Sequence, residues 1–199
     1  MENNNQIQNE KIQLIEALVH KSLQIIGQPR EQEIITRRFG LNGAKETLEQ
    51  IGERLDITRE RVRQLEKDAL IRLKISAEKG EIEHLAEIEK VLIRHLAESG
   101  RISKTKNLVE KYLEKTPTEQ DISNLLFIAE ISSKLVVVQE NDKYFSAIAN
   151  AEYGDERKIK SAIDEIVNII KKNKSPMTLD ELDSKLSYEH PSQIEAIAS

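Results

Sequence analysis

The stretch TLEQIGERLDITRERVRQLEKDALIRL, residues 47–73, contains two short helical patterns separated by a tight turn. Thr47 and Gln50 have the spacing of a capping box, in which each side chain satisfies a backbone group at the start of a helix. Thr58 follows the turn and can cap the second helix. Because Gly52 has no side chain, the two helices can cross closely. The spacing predicts a helix-turn-helix.

The second helix of this pair has an apolar face and a polar outer face. At about 100° per residue, Val62, Leu65, Ala69 and Leu73 share the apolar face. Arginine can donate two bonds to guanine, glutamine can bridge adenine, and glutamate can accept from the cytosine amino group. A solvated surface is the alternative interpretation, but the helix-turn-helix spacing favours DNA binding. The candidate DNA-binding residues are Arg59, Glu60, Arg61, Arg63, Gln64 and Lys67.

The positive charge of the chain is concentrated around this helix. The whole chain has a net charge of −5, with 30 basic and 35 acidic residues. Residues 29–75 hold 11 Lys/Arg and 9 Asp/Glu, which leaves 19 basic and 26 acidic residues elsewhere. Such a distribution is typical of a DNA-binding segment on an otherwise acidic protein.

The composition argues against catalysis and against cofactors. The chain has 199 residues and no cysteine, which excludes disulfides, thiolate zinc sites and cysteine nucleophiles. The four histidines are far apart, and a single Glu-x-x-His at residues 81–84 does not make a carboxylate-bridged metal site. The sequence contains no glycine-rich phosphate loop and no nucleophile motif. We therefore expect a binding protein that is not an enzyme, with no metal, cofactor or small-molecule substrate.

The N-terminal residues MENNNQIQNEK have no apolar segment, so they match neither a signal peptide nor a membrane anchor. Apolar runs elsewhere are only a handful of residues long, far short of a membrane span. We expect a cytoplasmic protein without a membrane partner.

Helix caps, glycines and prolines along the chain predict several structural units in order. Helical periodicity, glycine stops and capping residues suggest a mainly α fold. The predicted units are a disordered N-terminus at 1–9, a helix-turn-helix domain at 10–75, a linker at 76–82, a winged-helix-like domain at 83–150 and a partial helical unit at 155–199.

The winged-helix prediction comes from three helical patterns followed by a hairpin. The helices are predicted at 85–99, 108–113 and 118–132, the last one opened by a capping box of Thr116 and Glu119. KLVVVQENDKYFSAI then has two β-branched or aromatic runs about a polar turn, a hairpin pattern. Because the third helix contains no Lys or Arg, we interpret this half as a protein-interaction or spacer domain.

The last segment repeats this pattern weakly. An amphipathic helix follows residue 157, a second helix is capped by Thr178 and Glu181, and HPSQIEAIAS begins a third helix at which the sequence stops. We interpret the segment as a partial unit whose last helix is either truncated or vestigial.

A family resemblance covers about residues 30–74. REQEIITRRFGLNG, followed by TLEQIGERLDITRERVRQLEKDALIRL, closely resembles region 4 of the sigma-70 family of bacterial RNA polymerase initiation factors. The resemblance implies binding to the −35 promoter element and to the flap of the polymerase β subunit. It implies that Arg59, Glu60 and Gln64 contact bases and that Arg61 and Arg63 lie near the DNA backbone or support those contacts. The implied flap-binding residues are Arg37, Arg38 and Phe39.

Two departures from the family leave an alternative open. Asp68 and Ile71 stand where the family usually has basic residues, and we expect Ile71 to pack on the following domain. Nothing in the chain resembles sigma region 2, so we do not expect promoter opening by this chain alone. One hypothesis is a sigma-like factor that binds a −35-type element and contacts polymerase. The other is a regulator that occupies the β flap without productive promoter recognition.

Overall fold

The structure is a computed structural model that describes residues 2–173 and 175–186. Its first half is four helices that pack around one another. They are α1 (Glu2–Ile26), α2 (Pro29–Phe39), α3 (Leu48–Leu55) and α4 (Arg59–Glu78). The predicted mainly α fold class and the helix-turn-helix are confirmed.

The second half has the helix and strand order of a winged helix. Its elements are α5 (Leu85–Glu98), β1 (Ile102–Lys104), α6 (Thr105–Leu113), α7 (Glu119–Ile131), β2 (Leu135–Val138) and β3 (Ala147–Asn150). The strands form an antiparallel sheet in the order β1-β3-β2, with Val137 and Ser103 both opposite Ile148. The predicted hairpin is confirmed. Strand β1 was not predicted because three residues are too few to show an alternating pattern.

A 3₁₀ turn (Ala151–Tyr153) leads to α8 (Glu156–Asn173) and α9 (Leu179–Asp183). Ile166 and Leu182 contribute to a small apolar cluster between these two helices. The capping box of Thr178 and Glu181 is present, as predicted. The helix predicted at the end of the chain lies outside the described residues.

The cap of α7 differs from the prediction. Thr118, rather than Thr116, is the N-cap, and its partner is Asp121 rather than Glu119. The Thr118 hydroxyl accepts from the Asp121 amide at 3.2 Å, and the Asp121 carboxylate accepts from the Thr118 amide at 2.9 Å. Two overlapping Thr-x-x-acid spacings occur here. The Thr118–Asp121 spacing forms the capping box, because α7 begins at Glu119, directly after Thr118.

The predicted disorder at residues 1–9 is corrected, because α1 begins at Glu2. Gln6 Nε2 donates to Glu10 Oε1 at 3.2 Å, and Gln8 Nε2 donates to the Glu114 carbonyl at 2.8 Å. Lys11 forms an ion pair with Glu114 at 2.7 Å. Polar side chains that suggest disorder in isolation form hydrogen bonds within α1 and contacts with Glu114 at the end of α6.

The predicted linker is also shorter than expected. Helix α4 continues through Glu78, since Ala77 and Glu78 are good helix formers and Gly80 ends the segment. Ile82 and Leu85, which follow, are buried in the core. The chain therefore passes from one half to the other through a tight turn rather than a flexible connection.

One apolar core joins the two halves. Helix α7 packs against α1, α2, α4 and α6 and against strand β2. Buried members of this core include Ile15, Leu18, Ile35, Phe39, Leu73, Leu92, Leu108, Leu125 and Phe127. The boundary predicted at 76–82 does not separate two independent cores, because α7 of the second half packs against the helices of the first half.

Candidate nucleic-acid interface

Local hydrogen bonds fix the start of α3 and the start of α4, on either side of the turn between them. The Thr47 hydroxyl accepts from the Gln50 amide at 3.2 Å, and the Gln50 side chain accepts from the Thr47 amide at 2.8 Å, so the predicted capping box is confirmed. Asp56 ends α3 in the left-handed region at φ 51°, a conformation that aspartate tolerates. The Thr58 hydroxyl accepts from the Arg61 amide at 3.2 Å and starts α4, as predicted.

Gly52 sets how closely the turn approaches α3. A Cβ atom at this position would lie 2.7 Å from the Ile57 carbonyl oxygen and 3.4 Å from the Arg59 nitrogen. Both are backbone atoms, which cannot rotate away as a side chain can. The predicted close approach is confirmed, and it fixes the direction in which α4 leaves the turn.

A small apolar cluster packs against the inner face of α4. Ile34, Ile51 and Val62 are fully buried where α2, α3 and α4 meet. Further along the helix, Ala69 and Leu73 are fully buried in the main core. With its apolar face held at both ends, α4 presents its opposite face to solvent.

All six candidate DNA-binding residues are exposed on α4. Glu60 is held by a two-bond contact with Arg63, whose Nε and Nη2 atoms donate to the carboxylate at 2.8 and 2.7 Å. Gln64 Nε2 also donates to Glu60 at 3.2 Å, and Arg61 Nη1 donates to Gln64 Oε1 at 3.4 Å. Four of the candidates thus form one hydrogen-bonded surface network.

This network stabilises the ionised form of Glu60. The hydrogen bonds from Arg63, and after them the bond from Gln64, lower the pKa of the Glu60 carboxyl to about 2. The same contact raises the pKa of Arg63 above its usual value. At neutral pH Glu60 is ionised, as an ordinary glutamate is, and the network preserves this state at lower pH. An ionised carboxylate can accept from a cytosine amino group.

Arg59 lies at the first position of α4 and extends toward α3. Its Nη1 atom is 3.7 Å from Glu49 Oε2, and both side chains are about two-thirds exposed, at 67% and 66%. Sequence reasoning missed Glu49, because the pairing depends on how α3 and α4 cross. Lys67 is exposed two turns further along α4.

The three residues implied to bind the flap have different environments. Arg37 bonds to Glu33 and Glu46 at 2.9 and 2.8 Å, and these bonds raise its pKa. Arg38 is 3.3 Å from Glu66, whose pKa is raised by burial. Phe39 is buried.

Phe39 is covered by the second half of the molecule. Its ring packs edge to face on Phe127 of α7, with centroids 5.2 Å apart and planes at 66°. In this conformation the Phe39 side chain is closed to another protein. Sequence reasoning missed this neighbour, although the run LLFIA at 125–129 is apolar on every side and so indicates a fully buried helix.

The expectation that Ile71 packs on the following domain is wrong. Ile71 and Ile75 are each 45% exposed, one turn apart on α4. The second half instead contacts α4 on a neighbouring side, where Lys74 pairs with Glu130 at 3.1 Å. Burial of Ala69 and Leu73 sets the orientation of α4 about its axis, and in this orientation Ile71 lies on the outer face.

The part of the chain that the structure describes contains no group of three or more His, Asp or Glu side chains placed to hold a metal ion. Within residues 2–173 and 175–186, no helix combines the length and apolar character needed to cross a bilayer.

Comparison with known proteins identifies the helix-turn-helix segment. Residues 28–74 match the family model described as Sigma-70, region 4. The matched segment contains α2, α3 and most of α4. The resemblance noted from the sequence is therefore confirmed for this part of the chain, and the matched family is one of non-catalytic transcription factors.

Similar curated proteins include several RNA polymerase sigma factors. SigA4 of Synechococcus elongatus is 49% identical over 47 residues, which is 23% of this chain and 15% of the relative. SigA of Clostridium acetobutylicum is 47% identical over 47 residues, 23% of this chain and 12% of the relative. The chloroplastic sigF of Arabidopsis thaliana is 46% identical over 63 residues, 31% and 11% of the two chains. The chain thus matches only a small part of these relatives, and no solved structure matches it.

Proposed function

We propose that the protein is a sequence-specific DNA-binding transcription factor, similar to a sigma factor, that binds a −35-type promoter element and associates with RNA polymerase. The observation that carries the proposal is the outer face of α4, where Arg59, Glu60 and Gln64 are exposed together at the start of a helix-turn-helix recognition helix. The match of residues 28–74 to sigma region 4 supports the same function. The proposed activity is binding, without catalysis. It would place the protein in the cytoplasm, where bacterial RNA polymerase works.

The base contacts follow from the chemistry of these side chains. Arg59 can donate two bonds to a guanine, Gln64 can bridge an adenine, and the ionised Glu60 can accept from a cytosine. In the free protein Glu60 and Gln64 bond to each other. Because the network restricts the rotamers of these side chains in the free protein, less side-chain entropy would be lost on DNA binding. Arg61 and Arg63 would support these contacts or bind the DNA backbone, and Lys67 would bind phosphate.

The polymerase contact is proposed at the β flap, through the surface that includes Arg37, Arg38 and Phe39. Its support is the resemblance to region 4. The second hypothesis, a regulator that only occupies the flap, needs the Phe39 surface as its main contact. Since Phe39 is covered by α7 and the DNA-binding face of α4 is exposed, the structure favours DNA binding as the primary function.

The test is the anisotropy of a labelled duplex that carries a −35-type element, titrated with the protein with and without RNA polymerase. We expect the protein to prefer this duplex over a scrambled one by at least roughly tenfold, a small part of the specificity usual for such proteins. Pull-down with the isolated β flap should show affinity on the order of 1 μM. Equal affinity for both duplexes would overturn the DNA-binding proposal, and failure to bind polymerase in any form would leave a free-standing DNA-binding protein.

A further inference from the structure

Helix α7 covers the surface through which the region 4-like half would meet the polymerase. Phe39 and Leu41 are only 6% and 5% exposed. Phe39 meets Phe127, and Gln120 Nε2 donates to the Leu41 carbonyl at 2.6 Å. One end of this surface is thus covered by an aromatic ring and the other by a hydrogen bond to the backbone.

The rim of this contact is polar. Lys74 of α4 pairs with Glu130 of α7 at 3.1 Å, and Gln139 donates to the same carboxylate at 3.5 Å. Lys45, in the loop before α3, has its pKa lowered by burial, against the opposing charges of Glu140 and Glu119 in the second half. The contact therefore has a polar rim around an apolar centre that contains Phe39, Leu41 and Phe127.

The DNA-binding face of α4 lies outside this contact. Glu60, Gln64 and Lys67 are exposed, while Leu73 and Lys74 face the core and α7. The two proposed functions of the region 4-like half therefore differ in accessibility within one conformation, because its DNA face is open and its Phe39 surface is covered.

We infer that α7 is an autoinhibitory cover: the closed protein binds its promoter element but excludes polymerase from the Phe39 surface until α7 separates from α2. The inference rests on the proposed polymerase contact. Phe39 cannot touch Phe127 and a polymerase segment together, so the two contacts exclude each other. The apparent Kd for polymerase is then the intrinsic Kd divided by the fraction of molecules that are open.

The test uses variants of the full chain in which the Lys74–Glu130 ion pair at the rim of the contact is changed. Glu130→Lys places two lysines together and weakens the contact, and adding Lys74→Glu restores an ion pair in the opposite sense. Glu110→Lys, an exposed position on α6, is the control for the same change in net charge. We expect Glu130→Lys to bind core polymerase roughly fivefold more tightly, with the double variant and Glu110→Lys near wild type. Affinity for the −35-type duplex without polymerase should not separate Glu130→Lys from Glu110→Lys.

A second measurement reports the opening directly. The chain contains no cysteine, so Leu41→Cys introduces a single thiol beneath the cover. Its labelling rate should rise in the Glu130→Lys background and fall back in the charge-swapped one. Equal polymerase affinity in all variants, or unchanged labelling, would overturn the autoinhibitory cover while polymerase association stands. If no variant binds polymerase, the proposed polymerase contact itself is wrong, and the cover with it.

Discussion

Helix α4 is the second helix of the helix-turn-helix and α7 is the third helix of the winged-helix-like half, yet they meet opposite surroundings. Helix α4 has six Lys or Arg residues and exposes most of them. Helix α7 has none, and nine of its 13 residues are buried. The position of a helix in a fold is therefore not enough to predict that it binds DNA. The outer face must also be charged and open.

The two helices also differ in what their polar residues do. Four polar residues on the first two turns of α4 bond to one another along the exposed surface, as in the network around Glu60, while Arg72 and Lys74 further along pair with α2 and α7. On α7 they bond to other elements, since Gln120 reaches the Leu41 carbonyl and Glu130 reaches Lys74. The polar residues at the start of α4 therefore lie open to solvent, whereas Gln120 and Glu130 hold α7 against the first half in the closed conformation.

The largest expected effect is on stability through α7. Phe127→Ala should lower the free energy of unfolding by about 3–5 kcal/mol, because a fully buried aromatic ring leaves a cavity. Phe145, which is 70% exposed, supplies the matched control, and Phe145→Ala should change stability by less than about 0.5 kcal/mol. Thermal or urea unfolding measures both. Similar small losses for the two variants would mean that α7 is not a core helix in solution.

The next effect is on DNA affinity through α4. Arg59→Ala and Gln64→Ala should each weaken binding to the preferred duplex by about 1–3 kcal/mol and relax the preference at one base pair, with little change in stability. Arg94 and Gln13 are exposed on α5 and α1, so alanine at those positions is the control. Anisotropy with single-base variants of the duplex gives the result. If Gln64→Ala weakens specific and scrambled duplexes equally, Gln64 does not contact a base.

A smaller effect is expected at Lys67, which we assign to phosphate. Lys67→Ala should weaken all duplexes alike and reduce the slope of log K against log salt concentration by about one unit. Lys90→Ala, exposed on α5, should leave the slope unchanged. A selective loss on the preferred duplex would instead place Lys67 against a base edge.

The smallest effect is electrostatic and concerns Glu60. Its pKa of about 2 lies below the value near 4.3 expected in the unfolded chain. The stabilisation from the Arg63 contact is therefore fully present above about pH 4.3 and is lost as the pH falls toward 2. NMR titration of the Glu60 carboxyl should show the low value, and Arg63→Ala should return it toward normal. An ordinary pKa in the wild type would show that the network does not persist in solution.

Much of α4 and its turn could be predicted because their determinants are local. Thr47, Gln50 and Thr58 cap helices through backbone groups three residues away. Gly52 acts on a backbone atom five residues on. The apolar period that places Val62 and Leu73 on one face also places Gln64 on the other, so the candidate site follows from periodicity and motif. The DNA-binding roles of these residues stay predictions.

The wrong predictions depended on contacts distant in sequence. The prediction of disorder near Gln8 did not include its hydrogen bond to Glu114. The prediction for Ile71 placed it in the contact between the two halves, whereas in the structure Ile71 is exposed next to that contact. Strand β1 exists because β3 pairs with it more than 40 residues later. A short stretch of sequence around each of these residues does not contain its partner.

By itself the sequence determined the helix-turn-helix, the charged face of α4 and the absence of positive charge on α7, because capping, helical period and charge belong to the residues themselves. Only the tertiary structure decided that α7 closes over Phe39 and that the two halves share one core. That outcome depends on which apolar surfaces find each other when the chain folds. Burial of apolar area has no direction, so the sequence indicates that Phe39 and Phe127 will be buried but not that they will be buried against each other.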